Sequence, residues 1–271
     1  MESPDEIIRG ALRSSLERLI RDDGIQTLFQ PIVDLQGGAL LGYEALSRGI
    51  LPFHRADVMF DTARECGMSW DLDRACRLTA LRCIATLPLE ARELSFFINI
   101  SPRSITDGRA IEGFALSAMK ALGIQNRIVM EITETASITD YAAFEEQIRH
   151  HVRQGFGVAL DDFGSGNSGL LMLVAAAPHF IKLDRALVAG VDRSPYRQEL
   201  IRAVTTFAQS VGTDIIGEGI EQPAERATLA RLGVRYGQGF LLGRPAPYPS
   251  AGAAEAQGIL GASVPWASAT S

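Results

Sequence analysis

Short apolar runs alternate with helical segments along most of this 271-residue chain, and several of the runs stop at a polar or acidic residue. Four of these runs end at Asn99, at Glu131, at Asp161 and Asp162, and at Glu218. Repeated strand–helix units predict a mostly parallel sheet, either doubly wound or closed into a barrel. Both arrangements place ligand chemistry at the carboxyl ends of the strands, which is where these polar residues lie.

Periodicity sets the bounds of the predicted elements. Helices are predicted at 4–21, 56–66, 72–86, 111–122, 142–153, 198–211 and 224–232. Strands are predicted at 27–35, 39–46, 94–100, 127–133, 156–161, 180–183, 214–217 and 234–240. Gln36, Gly37 and Gly38 form a turn signal between the first two strands, so this pair must be antiparallel. About eight strands in about 250 residues favour closure. We therefore predict an α/β fold, a TIM-like (β/α)8 barrel with one antiparallel strand.

Three regions follow from this pattern. Residues 1–24 are predicted to be an N-terminal helix that packs on the barrel or precedes it, and residues 25–249 are the barrel domain. Residues 250–271 are rich in Ala, Gly and Ser, and we expect a short helix or disorder there.

Composition excludes several classes of protein. The net charge is −6 and there is no basic tract, which argues against a DNA or RNA polymer as partner. No apolar stretch reaches about 18 residues, so we expect no membrane span. The three cysteines form no CxxC pair, and the first residues do not resemble a secretory signal. These features predict a cytoplasmic protein.

The acidic strand ends predict bound cations. Ionised carboxylates beside a core are costly unless a positive charge compensates them. Asn99 adds a carbonyl oxygen, and none of the four histidines has metal-ligand spacing. Oxygen ligands without histidine suit Mg²⁺ or Mn²⁺ better than Zn²⁺. The pattern therefore indicates a metal-dependent enzyme that acts on an anionic substrate.

Each of the acidic positions has a second interpretation. Adjacent residues on a strand point to opposite faces, but a turn after Asp162 can direct both carboxylates of the Asp161–Asp162 pair into one cavity. The pair could equally form a turn and cap the helix that follows. Glu131 with Glu134, and Glu218 with Glu221, share an E-x-x-E spacing. One member of each pair would face the cavity while the other fixes a loop, or the pairs could simply be solvated strand ends.

Lys182 is a cation within a short apolar strand. A buried lysine is rarely tolerated without a carboxylate partner. Near a metal site it could orient the nucleophile or stabilise charge that develops on a phosphate group.

Eight ordered motifs between residues 27 and 247 resemble the EAL family of cyclic di-GMP phosphodiesterases. They are Phe29-Gln30-Pro31-Ile32-Val33, Tyr43-Glu44-Ala45-Leu46-Ser47-Arg48, Ile98-Asn99-Ile100-Ser101, Glu131-Ile132-Thr133-Glu134, Asp161-Asp162-Phe163-Gly164, Ile181-Lys182-Leu183-Asp184, Glu218-Gly219-Ile220-Glu221 and Gly237-Gln238-Gly239-Phe240. The family fold is a TIM-related barrel with one antiparallel strand, in agreement with the prediction from the hairpin.

The resemblance implies a role for each matching residue. One Mg²⁺ or Mn²⁺ would be held by Glu44, Asn99, Glu131 and Asp161, and a second by Asp161, Asp162 and Glu218. Lys182 and Gln238 would position the attacking water, Glu44 and Glu134 would complete the catalytic set, and Glu134 would fix the loop after the paired aspartates. The dinucleotide would be contacted by Gln30, Leu46, Arg48, Asp184 and Glu221.

The implied reaction is hydrolysis of one phosphodiester of cyclic di-GMP to linear pGpG. Two ions about 3.5–4 Å apart would lower the pKa of a shared water and neutralise charge on the phosphoryl oxygens. Ca²⁺ is expected to bind without supporting turnover. The resemblance also implies a homodimer, with an upstream sensory domain or a separate regulator as further partners.

Two departures from the family pattern lie in one loop. Asn167 stands where the family usually has Tyr, and Gly169 where it has Ser, while the metal ligands are all retained. These departures bear on the rate, the metal affinity and the coupling to a dimer interface. The alternative function, from a different class, is a cyclic di-GMP receptor that binds the nucleotide without cutting it; such proteins usually lose a metal ligand, whereas this chain retains them. Enolase-like barrels also collect acids and a lysine at strand ends, but they would not require the Arg48 motif or the opening hairpin.

Overall fold

A computed structural model of the chain describes residues 4–88, 91–106, 113–133, 138, 140–165 and 169–247. Three of the sequence predictions lie outside these residues: the role of Glu134, the effect of Asn167 and the structure of the 250–271 tail.

The described elements alternate as the periodicity predicts. The helices are α1 Pro4–Arg21, α2 Ala56–Glu65, α3 Ser69–Ala85, α4 Pro102–Thr106, α5 Gly113–Ala121, α6 Tyr141–Arg153, α7 Gly169–Ala176, α8 Arg185–Val188, α9 Pro195–Val211 and α10 Pro223–Arg231. The strands are β1 Ile25–Asp34, β2 Leu40–Gly49, β3 Ser95–Asn99, β4 Ile128–Thr133, β5 Gly157–Phe163, β6 Phe180–Leu183, β7 Asp214–Gly217 and β8 Tyr236–Gly237. Short 3-10 turns lie at Ala91–Glu93, Gln125–Arg127 and Val191–Arg193.

The eight strands close into a barrel in chain order, which confirms the predicted fold. Strand β1 is antiparallel to both of its neighbours, β2 and β8, and the other pairs are parallel. The reversal comes from the β1–β2 hairpin, where Asp34 Oδ1 accepts hydrogen bonds from the backbone N–H groups of Gln36 and Gly37. Gly38 completes the turn at φ 73°, a conformation that glycine adopts without steric cost.

Three apolar layers hold the barrel. Its interior floor contains Ile32, Leu41, Phe97, Val129, Ala159, Phe180, Ile216 and Tyr236. A larger layer packs the outer face of the strands against the surrounding helices. A smaller third cluster joins α1, α2 and α3 through residues such as Leu16, Met59 and Leu72, so the N-terminal helix packs against its neighbours through a core of its own. Among the described helices none is both long and apolar enough to cross a membrane.

Several elements differ from the sequence predictions, among them the short helices α4 and α8, which were not predicted, and β2, which runs to Gly49. Strand β8 is only Tyr236–Gly237 instead of 234–240, because the chain turns at Gly239 against the backbone of Ile220. Strand β5 continues to Phe163 instead of ending at Asp161. The sequence analysis expected a helix after the Asp161–Asp162 pair but gave it no bounds, because the sequence of α7 is apolar throughout and has no amphipathic period.

Gly42 generates a prediction about closure of the barrel. A Cβ atom at this position would lie 1.9 Å from the backbone oxygen of Ser95, its partner on β3. We expect Gly42→Ala to lower the free energy of unfolding by about 3 kcal/mol, because the strands must separate to admit the methyl group. Urea denaturation measures this change.

The control is Gly10→Ala in exposed helix α1, where an added Cβ meets nothing within 4 Å. Alanine favours the helix there, so this variant should be unchanged or up to about 1 kcal/mol more stable. Equal stability of the two variants would contradict the tight β2–β3 approach.

Candidate active site

Each of the eight strands, or the residue directly after it, contributes one polar side chain to a ring at the mouth of the barrel. Side chains alternate along a strand, so the residue two positions beyond a floor residue faces the same interior. On β3 to β8 this step leads from the apolar floor to Asn99, Glu131, Asp161, Lys182, Glu218 and Gln238. The hairpin adds Gln30 and Glu44, which are directly opposite in the β1–β2 register. The structure therefore brings these eight side chains together at the mouth of the barrel.

Lys182 lies at the centre of this ring. Its side chain has no exposed surface. Its Nζ atom lies 2.7 Å from Glu131 Oε1, 2.8 Å from Asp161 Oδ1 and 2.8 Å from Glu218 Oε1. Glu44 Oε2 is 3.5 Å away. One ammonium group thus faces carboxylates from four different strands.

The ring carries more negative charge than Lys182 can compensate. Burial raises the pKa of Glu131 well above its usual range, and the neighbouring Glu44 adds to the rise. Burial also raises the pKa of Glu218 to about 8. Burial alone would lower the pKa of Lys182, but the surrounding carboxylates, Asp161 foremost, outweigh it and hold that pKa well above normal. Full ionisation of the acids therefore needs additional positive charge.

Several buried atoms of the ring lack hydrogen bonds, although Lys182 is close. Within the described residues, Glu131 Oε1, Asp161 Oδ1, Lys182 Nζ and Gln238 Oε1 have no partner of acceptable geometry. A buried acceptor without a partner is costly. The carboxylate oxygens near Lys182 each have more than one lone pair, so they keep the capacity to ligate cations. The donor set fits a divalent ion that prefers oxygen.

A β-bulge brings Asp161 and Asp162 together. The β5–β6 register shifts between Leu160 and Phe163, and Asp162 adopts φ 55°. A bulge redirects side chains that would otherwise alternate. As a result, one oxygen each of Asp161, Asp162 and Glu218 lie within 4.8 Å of one another. Burial, together with the charge of Asp161, raises the pKa of Asp162 to about 6.

The amide side chains orient the carboxylates. Gln238 Nε2 donates to Glu44 Oε2 at 2.5 Å and to Gln30 Oε1 at 3.0 Å. Gln30 Nε2 donates in turn to the backbone oxygen of Gly243 at 3.0 Å. Asn99 Nδ2 lies 3.3 Å from Glu44 Oε1 and 3.2 Å from Glu131 Oε2. The contact of Gln30 with Gln238 was missed in the sequence analysis, because it depends on closure of the barrel between β1 and β8.

The remaining sequence candidates lie outside the ring. Leu46 and Arg48 follow Glu44 along β2 at a spacing of two, so the three side chains share one face of the strand. Leu46 and Arg48 are partly exposed, unlike Glu44. Asp184 caps α8 by accepting a hydrogen bond from the backbone N–H of Ala186. Glu221 is exposed, and its Oε1 is 2.8 Å from Arg185. The substrate contacts assigned to these residues stay predictions.

Comparisons with known proteins agree with this geometry. The EAL domain family model matches residues 13–245. Cyclic di-GMP phosphodiesterase RocR of Pseudomonas aeruginosa is 31% identical over 234 residues, which are 83% of this chain and 59% of the relative. Cyclic di-GMP phosphodiesterase PdeR of Escherichia coli is 29% identical over 242 residues, 87% of this chain and 36% of the relative. The chain thus spans roughly one third to three fifths of these curated relatives.

A solved structure is also similar to this chain. Klebsiella pneumoniae BlrP1 in complex with calcium and cyclic di-GMP has a TM-score of 0.74 at 29% identity, over 82% of this chain and 56% of that one. The family match over most of the chain, the closed barrel with one reversed strand and the acidic ring agree, and this protein belongs to the EAL domain family.

Proposed function

We propose that this chain is a metal-dependent phosphodiesterase that hydrolyses cyclic di-GMP to linear pGpG. The observation that carries the proposal is the acidic ring, in which one buried lysine faces carboxylates from four strands. The names of the relatives RocR and PdeR support the substrate, and BlrP1 with calcium and cyclic di-GMP supports a divalent ion beside it.

The residues that would hold the metals are those of the ring. One ion would be bound by Glu44, Asn99, Glu131 and Asp161, and a second by Asp161, Asp162 and Glu218. Rotation of the Asn99 amide would turn its oxygen, instead of Nδ2, towards the first ion. When bound, Mg²⁺ or Mn²⁺ supplies Lewis acidity, which lowers the pKa of water and neutralises charge on phosphoryl oxygens.

Lys182 and Gln238 would position the reacting groups. Because its carboxylate neighbours keep Lys182 protonated, it acts as a hydrogen-bond donor and not as a general base. Its fixed ammonium group can hold an incoming water or a phosphoryl oxygen as charge develops. Gln238 restrains Glu44 through the 2.5 Å hydrogen bond, and Gln30 holds Gln238 in place.

The substrate would lie above the ring. Arg48 is well suited to a phosphate, because a guanidinium group binds phosphate oxygens in a fixed, charge-assisted geometry. Gln30, Leu46, Asp184 and Glu221 would contact the rest of the dinucleotide, and Glu134 would fix the loop after Asp162. The homodimer, the regulatory partner and the cytoplasmic location stay predictions.

The metal site should be sensitive to pH. Asp162 and Glu218, with pKa values of about 6 and about 8, hold protons that a cation must displace. We expect Mn²⁺ affinity to rise more than about tenfold from pH 6 to pH 8. Calorimetry in buffers of different ionisation enthalpy measures both affinity and proton release.

The free energy of unfolding of the metal-free protein should fall as pH rises, whereas the Mn²⁺ affinity should increase. The pKa of Glu218 is raised from 4.5, so the folded state holds this proton more tightly than the unfolded chain. Stability should therefore fall as pH rises from about 4.5 towards about 8. Glu218→Gln should make both the Mn²⁺ affinity and the stability less dependent on pH. If the Mn²⁺ affinity of the unmodified protein does not change with pH, cation binding does not displace these protons.

Hydrolysis itself is the direct test of the proposed function. The protein is incubated with cyclic di-GMP and Mg²⁺, Mn²⁺ or Ca²⁺, and pGpG is quantified by chromatography. We expect turnover with Mg²⁺ and Mn²⁺ but little with Ca²⁺, which is larger and accepts looser geometry. Glu44→Ala should reduce kcat at least about 100-fold by removing a metal ligand.

Glu146→Ala, an exposed carboxylate on α6, provides the matched control and should keep normal turnover. Nucleotide binding without any pGpG would favour the receptor function instead. Normal turnover by Glu44→Ala would remove Glu44 from the site.

A substitution of Arg48 tests nucleotide binding separately from metal binding. Arg48→Ala should weaken cyclic di-GMP affinity about 10- to 100-fold, the usual cost of losing a charge-assisted hydrogen bond, while Mn²⁺ affinity stays the same. Calorimetry with Ca²⁺ present measures nucleotide affinity. Arg64→Ala, an exposed arginine near the end of α2, is the control. Unchanged nucleotide affinity in Arg48→Ala would contradict the phosphate contact.

A further inference from the structure

Glu225 is a buried carboxylate that the sequence analysis did not single out. It is the third residue of α10 and is only 5% exposed. Buried carboxylates need partners, because an ion without compensation is costly away from water. The partners of Glu225 are three backbone N–H groups from two different loops.

Two of these hydrogen bonds are local. Glu225 Oε2 accepts from the backbone N–H groups of Glu221 and Gln222, each at 3.0 Å. Gln222 is the N-cap of α10, so this part is the familiar pairing of a third-position carboxylate with the start of its own helix. The loop that it fixes runs from Glu218 to Gln222 after β7.

The third hydrogen bond reaches another loop. Glu225 Oε1 accepts from the backbone N–H of Gly190 at 2.8 Å, 35 residues earlier in the chain. Gly190 follows α8, in the connection that leaves β6 at Lys182 and Leu183, and it adopts φ 70°. A helix cap does not require this contact. Glu225 therefore links the loop after β6 to the loop after β7.

The same two loops are linked at two other points. The backbone N–H of Glu218 donates to the backbone oxygen of Leu183 at 3.1 Å. Arg185 pairs with Glu221 at 2.8 Å, but their side chains are 64% and 40% exposed. Exposed ion pairs contribute little because water screens them. Of the two side-chain links, the buried one through Glu225 is the stronger restraint.

These links lie in the loops that directly follow the strand ends of Lys182 and Glu218. The two residues lie at the ends of β6 and β7, and their 2.8 Å contact depends on how those ends are held. We infer that Glu225 is a positioning residue, which keeps the loops after β6 and β7 together so that Lys182 and Glu218 hold their geometry at the cation site. The inference rests on the proposed function in one respect: the proposed function identifies the place where Lys182 and Glu218 meet as a cation site.

The test compares Glu225→Gln with Asp140→Asn. Glutamine keeps the size of Glu225 but has one acceptor oxygen, so at least one of the three N–H groups loses its partner. Asp140 caps α6 through a hydrogen bond from the backbone N–H of Ala143, so Asp140→Asn applies the same carboxylate-to-amide change to a local cap. Hydrogen exchange of the metal-free proteins is measured at Gly190, Glu221 and Gln222, and Mn²⁺ affinity is measured without nucleotide.

Glu225→Gln should speed exchange at Gly190 at least about tenfold and weaken Mn²⁺ binding about five- to tenfold, since supporting contacts tune metal sites. Asp140→Asn should change neither. If Glu225→Gln lowers only the melting temperature, with Gly190 exchange and Mn²⁺ affinity unchanged, Glu225 is a helix cap alone and the inference fails. The exchange measurement needs no metal or catalysis, so it remains decisive even where cyclic di-GMP hydrolysis is absent.

Discussion

The contact of Lys182 with carboxylates from four strands is the constraint on which the rest of the site depends. An ammonium group without exposed surface is stable there only because Glu131, Asp161 and Glu218 approach to within 2.8 Å. The acids in turn exceed the charge that one lysine can balance, and burial raises the pKa values of Glu131 and Glu218. This excess of negative charge is the physical reason for proposing that the ring binds divalent cations.

Barrel closure produces this convergence from residues far apart in sequence. From β3 to β8, each strand carries an apolar side chain in the floor, and the side chain two residues further on joins the ring. The reversed β1 takes part because the hairpin register sets Gln30 opposite Glu44. Close approach of β2 and β3 at Gly42 is one condition for closure, since a larger residue there would collide with the backbone of Ser95. Fold and site therefore depend on the same backbone contacts.

Much of this could be predicted from the sequence, because alternation and strand ends are local signals. The closed barrel, the reversed strand and the positions of Asn99, Glu131, Asp161 and Glu218 follow from apolar runs and a Gly-rich turn. What could not be predicted depends on tertiary contacts or lacks a period. The bounds of α7 could not be set because its sequence is apolar throughout, and the bulge at Asp162 arises from the β5–β6 pairing. The sequence around Glu225 is that of an ordinary helix start, and only the fold brings Gly190 beside it.

The most direct measurement of the central claim is anomalous diffraction from crystals grown with Mn²⁺. The account predicts two anomalous peaks about 4 Å apart within the ring, with Asp161 in contact with both and Lys182 beside them. Peaks confined to surface carboxylates, or a ring in which Lys182 alone balances the acids in the presence of Mn²⁺, would contradict it.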